Sequence, residues 1–444
     1  MACSVAARSP LLRNTTVRHY AAAAAVQYSA AAVPEVQVVN NKVKVAALDN
    51  NSPIAQVSVV FRAGSRNETY DTQGTAHVLR CAAGLGTERN TIFALTRYLQ
   101  QIGGSITATS DRETIAYTLQ ITKDSLDKAL PFLEDVATRQ VFKPWEIMDQ
   151  VPRAQLEVRT IPDTSRVLEL LHKAAYRTGL GYSLYAPKYQ ISKISPETLQ
   201  HFTESWLTAS RCAVVATGLP AAELSAFASN LQFPSSSNSN DASKYHGGEI
   251  RKERSTTVTT VGVAVEGVSL ANEKEALVAA VLQRAIGTGP RVKWGSCSAP
   301  LYKHLSNIAG TDPFALSTLN ASYTDSGLFG FVLYAPGKVA GSLTKAACSW
   351  LKCPQLSDAD IARGKRILTA EVGCTADNAG MFLENLQQQT LFKEKVTPLA
   401  SIIANIENIT PSDVNALTGK ICRGKMSMAA IGDLNSVPYL DECN

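Results

Sequence analysis

Residues 110–121 read SDRETIAYTLQI, and residues 324–335 read TDSGLFGFVLYA. The two stretches align without gaps, and apolar side chains alternate with other residues in both. Such alternation is typical of a strand that buries one face in the core. Each stretch therefore predicts a half-buried β-strand. The apolar positions of the pattern are Ile115, Tyr117, Leu119, Phe329, Phe331 and Leu333.

Two further segments repeat in the same order at nearly the same offset. ISPETLQHF (194–202) is followed by SRCAVVATG (210–218), and ITPSDVNAL (409–417) is followed by KMSMAAIGD (425–433). The first segment of each pair carries Ser or Thr before Pro, the residues favoured at a helix cap and at the first helical position. The second segment is a strand of small apolar residues. Three elements in one order at one offset indicate a tandem duplication.

Strands and amphipathic helices are mixed within each half. VSVVFRAGS (57–65) and STTVTTVGVAVEG (255–267) are β-branched and alternating, as strands are. SLDKALPFLEDVAT (125–138) and KEALVAAVLQRAIG (274–287) have helical spacing. Because strands and helices do not alternate strictly, the sequence predicts an α+β fold of two tandem homologous domains. Each domain is expected to be a mostly antiparallel sheet covered by helices.

The stretch PSSSNSND (234–241) separates the two halves. Ser, Asn and Asp without apolar periodicity are typical of a linker. We therefore predict an N-terminal domain over residues 39–232, a linker over 233–244 and a C-terminal domain over 245–444.

The stretch 1–20 has the composition of a mitochondrial transit peptide. It contains Arg8, Arg13 and Arg18 together with Ser and Thr, whereas the first carboxylate of the chain is Glu35. Without residues 1–20 the formal charge falls from +5 to +2, so the composition gives no reason to expect a nucleic-acid partner. The sequence also contains no apolar run of about 18 residues or more, the length needed to span a bilayer.

GTAHVLRCAAGL (74–85) begins like the inverted zinc-binding helix His-x-x-Glu-His of metallopeptidases. In that motif two imidazoles on one helix face bind the metal and the glutamate is the general base. Here only His77 is present, since Arg80 and Cys81 occupy the other two positions. A guanidinium stays protonated in proteins, so Arg80 cannot accept a proton and would repel a metal ion. The sequence therefore predicts no catalytic residue and no bound metal on this helix.

GTGPRVKWGS (287–296) is the other stretch that suggests a ligand. It lacks the Gly-Lys-Ser/Thr ending of a phosphate-binding loop, and it follows a helical segment rather than a strand. An ordinary loop at the end of a helix is the simpler interpretation, and no cofactor is predicted.

Several segments resemble a known family. FRAGSRNET (61–69), GTAHVLRCAAGL and RETIAYTL (112–119), in this order, resemble the N-terminal half of a pitrilysin-type (insulinase-like) metallopeptidase of the mitochondrial processing peptidase group. YHGGEIR (245–251), GTGPRVKWGS, NASYTDSGLFGF (320–331) and KMSMAAIGDL (425–434) are more closely similar to the core-protein members of this family. Those members belong to mitochondrial ubiquinol–cytochrome c reductase, respiratory complex III. The resemblance covers essentially the whole chain after the presequence.

The resemblance implies a non-catalytic scaffold subunit, needed for assembly and stability of that complex and peripheral on the matrix side of the inner membrane. The implied partners are core protein 1, cytochrome b, cytochrome c1 and the Rieske subunit, in a dimeric complex. No haem or iron–sulfur ligation is implied. A second interpretation is a substrate-recognising, non-catalytic subunit of a mitochondrial processing peptidase, a role that requires no zinc.

The resemblance also implies a third vestigial ligand position on a later helix. Glu157 lies at nearly the implied distance along the chain after Cys81, although an ungapped family register places Gln155 in that position. A zinc site built from His77, Cys81 and Glu157 is therefore an alternative, because zinc accepts thiolate as well as imidazole. Pro152 is expected to interrupt the helix that would have to hold this ligand. A packed helix with Cys81 as a small core residue is the simpler interpretation.

Overall fold

The computed structural model describes residues 34–234, 238–290 and 297–443. The predicted transit peptide (1–20) lies outside these ranges, as do residues 235–237 of the predicted linker and residues 291–296 of the glycine-containing loop. Within the described ranges, no helix has both the length and the apolar character needed to cross a membrane.

The first half builds a six-stranded sheet. Its strands are β1 (Gln37–Val38), β2 (Lys44–Leu48), β3 (Ile54–Phe61), β4 (Ser105–Ser110), β5 (Ile115–Thr122) and β6 (Cys212–Thr217). They pair in the order β1-β2-β6-β3-β5-β4, with β2 and β6 parallel and the other neighbours antiparallel. The helices are α1 (Thr75–Cys81), α2 (Ile92–Gln101), α3 (Leu126–Thr138), α4 (Pro144–Thr160), α5 (Asp163–Tyr176), α6 (Pro196–Trp206) and α7 (Ala221–Asn230).

The second half builds a sheet with the same connectivity. Its strands are β7 (Glu249–Glu253), β8 (Val258–Glu266), β9 (Ala315–Ser322), β10 (Gly327–Pro336) and β11 (Ser427–Gly432). The order β7-β11-β8-β10-β9 matches β2-β6-β3-β5-β4, and β7 and β11 are again the parallel pair. The helices are α8 (Glu273–Ile286), α9 (Pro300–Ala309), α10 (Gly337–Lys352), α11 (Asp358–Asp377), α12 (Ala379–Gln388), α13 (Leu399–Glu407) and α14 (Pro411–Cys422). The predicted tandem α+β fold is confirmed, whereas its residue boundaries stay a prediction.

The repeated helix starts are capped as the sequence predicts. The Ser195 hydroxyl accepts the N–H of Thr198 at the start of α6, at 3.3 Å. The Thr410 hydroxyl accepts the N–H of Asp413 at the start of α14, at 3.2 Å. Each cap satisfies a backbone donor that the first helical turn leaves without a partner. The same local chemistry therefore starts the corresponding helix in both halves.

The prediction of a half-buried strand is wrong for β10. Its residues are buried on both faces, because α5 of the first half lies across the face that the helices of the second half leave uncovered. Val167, Leu171 and Tyr176 of α5 pack there against Leu328 and neighbouring apolar residues. A single strand pattern cannot show that a helix from elsewhere in the chain covers its second face.

The second half covers the first sheet in the same way. Leu383 and Leu386 of α12, with Leu391 just after it, pack against apolar residues of β2, β3, β5 and β6. These strand residues are Ala46, Val60, Ala116, Ala213 and Val215. We call α5 and α12 the exchanged helices, because each half supplies one to the sheet of the other. The first residues of these helices, Asp163 and Ala379, are separated by nearly the same number of residues as the aligned patterns of β5 and β10. The two helices therefore occupy equivalent places in the duplication.

Polar contacts join the halves beside the exchanged helix α5. The Tyr176 hydroxyl donates to the carbonyl of Gly327 at 2.8 Å. The His172 Nδ1–H donates to the Leu168 carbonyl, so its Nε2 accepts the hydroxyl of Tyr323 at 2.8 Å. These bonds satisfy polar groups that the apolar contact would otherwise bury without partners.

The expectation that Pro152 interrupts its helix is wrong. Helix α4 runs from Pro144 to Thr160 with Pro152 inside it, and the proline is exposed. A proline in a helix interior removes one backbone hydrogen bond, which lowers stability. Packing of the other residues of α4 offsets this loss. The helix is therefore continuous up to the candidate site.

Substitution of Leu171 by Ala is expected to lower the free energy of unfolding by about 2–5 kcal/mol, because it leaves a cavity under the exchanged helix. Leu171 is fully buried. Urea denaturation followed by circular dichroism measures the change. Leu156→Ala is the matched control, since Leu156 is 61% exposed, and it should change stability by no more than about 0.5 kcal/mol. Equal effects of the two substitutions would contradict the role given to α5.

Candidate functional site

Helix α1 starts on a buried glutamate side chain. Glu68 accepts the N–H of Gly74 at 2.7 Å and the N–H of Ala76 at 2.8 Å. Burial raises the pKa of Glu68 to about 8, although the two backbone hydrogen bonds oppose that change. Gly74 has a φ of 92°, and a side chain here would place Cβ 2.3 Å from that of Ala186. The entry to α1 is therefore tightly fixed.

His77 is held between a backbone donor and a carboxylate. Its Nδ1 accepts the N–H of Ala186 at 3.3 Å, and its Nε2 lies 3.1 Å from Oε2 of Glu157 on α4. The ring of Tyr185 packs edge-on against the imidazole at 5.6 Å. Because Nδ1 faces a donor, the neutral imidazole carries its proton on Nε2 and donates it to Glu157.

Arg80 binds the same carboxylate. Its Nη2 forms an ion pair with Oε2 of Glu157, the oxygen that also receives the His77 bond. The Cys81 sulfur lies 3.9 Å from this oxygen. Arg153, one turn earlier on α4, approaches the other carboxylate oxygen at 3.5 Å. Glu157 is therefore the acceptor on which the side chains of this cluster converge.

The protonation states of the cluster follow from burial and from this ion pair. Burial lowers the pKa of His77, and the charge of Arg80 acts in the same direction. Burial raises the pKa of Cys81, so its thiol stays protonated. Burial alone would also raise the pKa of Glu157, but hydrogen bonds from His77 and Arg80 outweigh it and lower that pKa. The cluster is a neutral histidine, a thiol and a carboxylate neutralised by arginine.

This arrangement does not fit a zinc ion. Ligand atoms of His77, Cys81 and Glu157 lie within 4.8 Å of one another, so their spacing alone would permit one. A metal-binding histidine usually donates its second ring N–H to an acceptor, whereas the second nitrogen of His77 faces a donor. Arg80 also occupies the Glu157 carboxylate, and its fixed positive charge would repel a dication.

The structure decides which residue of α4 meets α1. The sequence left Gln155 and Glu157 open, and the side chain that reaches His77 and Arg80 is that of Glu157. Sequence reasoning missed Glu68 and Tyr185, which position α1 and the imidazole. Glu68 carries a detectable signal, since it is a carboxylate shortly before the helix start, whereas Tyr185 lies in a loop far from His77 along the chain.

Comparison with known proteins gives two family matches, one after the other along the chain. Residues 44–188 match the family model "Insulinase (Peptidase family M16)", and residues 193–368 match "Peptidase M16 inactive domain". Human mitochondrial cytochrome b-c1 complex subunit 2 is 32% identical over 412 residues, which cover 90% of each chain.

The chain belongs to the M16 (insulinase) peptidase family.

Two other relatives align with a similar share of the chain. Mouse mitochondrial cytochrome b-c1 complex subunit 2 is 32% identical, with 90% of each chain covered. The probable mitochondrial-processing peptidase subunit alpha-1 of Arabidopsis thaliana is 25% identical, with 92% of this chain and 83% of that protein covered. The family resemblance in the sequence is therefore confirmed. The second family match begins at residue 193, inside the first predicted domain, so it does not test the predicted linker boundary.

The Arg–Glu pair of the first M16 half has a counterpart in the second half. Arg284 on α8 donates from Nε to Glu371 on α11 at 2.9 Å. The interval from Arg80 to Arg284 equals that between the starts of β3 and β8. The interval from Glu157 to Glu371 equals the offset of the aligned β5 and β10 patterns. The pair thus joins the same two helices in a half that has no zinc motif, and it is a helix–helix contact of the fold.

A double-mutant cycle of Arg80→Met and Glu157→Gln is expected to give a coupling free energy of about 1 kcal/mol, because both side chains are largely shielded from solvent. Their side chains are 22% and 28% exposed. Urea denaturation of the single and double variants measures it. The control pair, Lys338 and Asp312, lies 2.8 Å apart with Lys338 70% exposed, and its coupling should be clearly smaller. A coupling for Arg80–Glu157 no larger than the control would refute the proposed contact.

Proposed function

We propose that the chain is a non-catalytic core subunit of the mitochondrial ubiquinol–cytochrome c reductase (cytochrome b-c1) complex, needed for its assembly and stability. The observation that carries the proposal is the 32% identity to human cytochrome b-c1 complex subunit 2 across 90% of both chains. The mitochondrial-processing peptidase relatives align over a similar share of this chain but at lower identity.

The chemistry of the candidate site supports a role without catalysis. A peptidase of this kind needs a base that accepts a proton from water and a metal that activates the water. Arg80 holds the base position and cannot accept a proton, and it neutralises the carboxylate that a metal would need. The Nε2 of His77 directs an N–H, and not a lone pair, toward the Glu157 carboxylate, where a metal would have to bind. The retained motif thus serves packing between α1 and α4.

The proposal includes partners and a location. Core protein 1, cytochrome b, cytochrome c1 and the Rieske subunit are the proposed partners, in a dimeric complex. Residues 1–20 are proposed to direct import of the chain into mitochondria. The chain is then proposed to lie on the matrix side of the inner membrane, held there by its partners. The arginine-rich, acid-free sequence of residues 1–20 supports import. The relatives are named as mitochondrial proteins, which supports the proposed mitochondrial location.

The second candidate is a substrate-recognising subunit of a mitochondrial processing peptidase. The Arabidopsis subunit alpha-1 relative supports it, since 92% of this chain aligns with it. This role would also require no metal on this chain. This candidate has weaker support than the first, because the sequence identity is 25% and not 32%.

Native electrophoresis of gently solubilised mitochondria, probed with an antibody to this chain, tests the first candidate against the second. We expect co-migration with cytochrome b and cytochrome c1, and loss of the assembled complex when the chain is depleted. An antibody to a matrix enzyme controls for incomplete solubilisation. A small soluble heterodimer, with cytochromes b and c1 migrating elsewhere, would favour the peptidase subunit.

Metal analysis and a presequence cleavage assay test the absence of catalysis. The purified chain is expected to contain no stoichiometric zinc and to cleave no presequence peptide, because Arg80 replaces the general base. His77→Ala should therefore change neither readout. One zinc per chain, lost together with a hydrolytic activity in His77→Ala, would contradict the proposal.

A further inference from the structure

A cleft of about 640 Å³ lies beside the exchanged helix α12, away from the His77 cluster. Its walls include Leu277 and Ile402, which border the core of the second half, and Phe382, Phe392 and Val396, which border the contact of α12 with the first sheet. Protein cores leave few voids larger than a water molecule, and ligand-binding clefts have volumes of roughly 300–1,000 Å³. The cleft has the size and apolar lining of a small-molecule site.

One guanidinium of this cleft has no acidic partner among the described residues. Arg62, at the end of β3, lines the cleft and lies over the ring of Phe392 at 5.4 Å from the ring centre. Its Nε is buried without a hydrogen-bond acceptor, and no carboxylate of the described residues pairs with it. A guanidinium without a carboxylate partner favours an anionic acceptor brought by a ligand, because charge-assisted hydrogen bonds are stronger than neutral ones.

The surroundings of Arg62 hold excess positive charge. The carbonyl of Arg62 accepts a bond from Nε of Arg211 at 3.0 Å. Burial and the nearby charges of Arg62 and Arg66 lower the pKa of Arg211 to about 10. Arg66 is neutralised by Glu113 and Asp325, whereas no described carboxylate pairs with Arg62 or Arg211.

The other two charged residues that line the cleft, Lys393 and Glu273, pair with each other at 3.1 Å. Arg62 therefore leaves the cleft with a net positive charge, which favours an anion.

A second polar group of the cleft is also without a partner in the described part of the chain. The amide oxygen of Asn320, on β9, is buried with no donor within hydrogen-bond distance. The Arg62 guanidinium is a polar group of the kind that orients a ligand in a mainly apolar site. The Asn320 oxygen accepts hydrogen bonds, as a carboxylate does, so it does not bind the head group. A single guanidinium balances one negative charge. A carboxylate carries one negative charge, whereas a phosphate monoester carries more than one, so the site matches a carboxylate.

We propose that the cleft binds a long-chain aliphatic carboxylate, with the carboxylate on Arg62 and the chain along Leu277, Phe382, Phe392 and Val396. This site is separate from the proposed subunit role, and neither depends on the other. The charge of Arg62 selects the head group, and the apolar walls bind the chain through burial of its surface.

Isothermal titration of the purified full chain tests the site with dodecanoate below its micelle concentration. We expect one dodecanoate per chain, binding roughly tenfold or more weaker for 1-dodecanol, and no measurable binding of acetate. Dodecanol binding as tightly as dodecanoate would overturn the role of Arg62. Tighter binding of dodecyl phosphate than of dodecanoate would overturn the choice of a carboxylate.

Two variants separate the head group from the chain. Arg62→Met should weaken dodecanoate binding roughly tenfold and leave dodecanol binding unchanged, because it removes the charge and keeps an apolar side chain. Ala276→Phe should weaken both ligands, since Ala276 lines the cleft without being part of the core. Arg366→Met, at an exposed arginine outside the cleft, is the control and should change nothing. Wild-type affinity for dodecanoate in either cleft variant would overturn the proposal, so Ala276→Phe decides if Arg62→Met fails to fold.

Discussion

The exchange of α5 and α12 between the two halves is the contact on which the rest of the structure depends. Each sheet has one face covered by the helices of its own half and the other by a helix of the opposite half. A sheet with apolar residues on both faces cannot remain exposed on one of them, because that surface must leave water. The halves are therefore joined as one body, and the polar contacts of Tyr176 and His172 form only because α5 lies on the second sheet.

The candidate site shows how an M16 helix can be kept without its chemistry. Three potential ligands remain close together, yet a single arginine changes the electrostatics of the whole cluster. Hydrogen bonds from His77 and Arg80 lower the pKa of Glu157, and burial together with the charge of Arg80 lowers that of His77. The Nε2 proton of His77 therefore bonds to Glu157, at the place where a metal would need a lone pair. The counterpart pair, Arg284 and Glu371, joins the equivalent helices without any zinc motif. The ion pair between these two helices is thus a property of the duplicated fold.

Much of this architecture follows from local patterns in the sequence. The Ser195 and Thr410 caps, the strand at 110–121 and the helix at 274–287 are each specified by neighbouring residues, and each forms near its expected place. The errors have a different origin. Burial of both faces of β10 depends on α5, a helix of the other half that lies far earlier in the chain. Pro152 is tolerated because the rest of α4 is packed, which local propensity does not include.

The sequence by itself determined the duplication, the α+β class, the family and the loss of the general base at Arg80. These depend on periodicity, on capping residues and on the proton affinity of a side chain, all of which are local. Only the tertiary structure decided that Glu157 rather than Gln155 faces His77, which nitrogen of that histidine carries the proton, and that Arg62 lies unpaired in an apolar cleft among the described residues. Those features arise from side chains far apart in the chain, whose distances and burial exist only once the two halves are packed together.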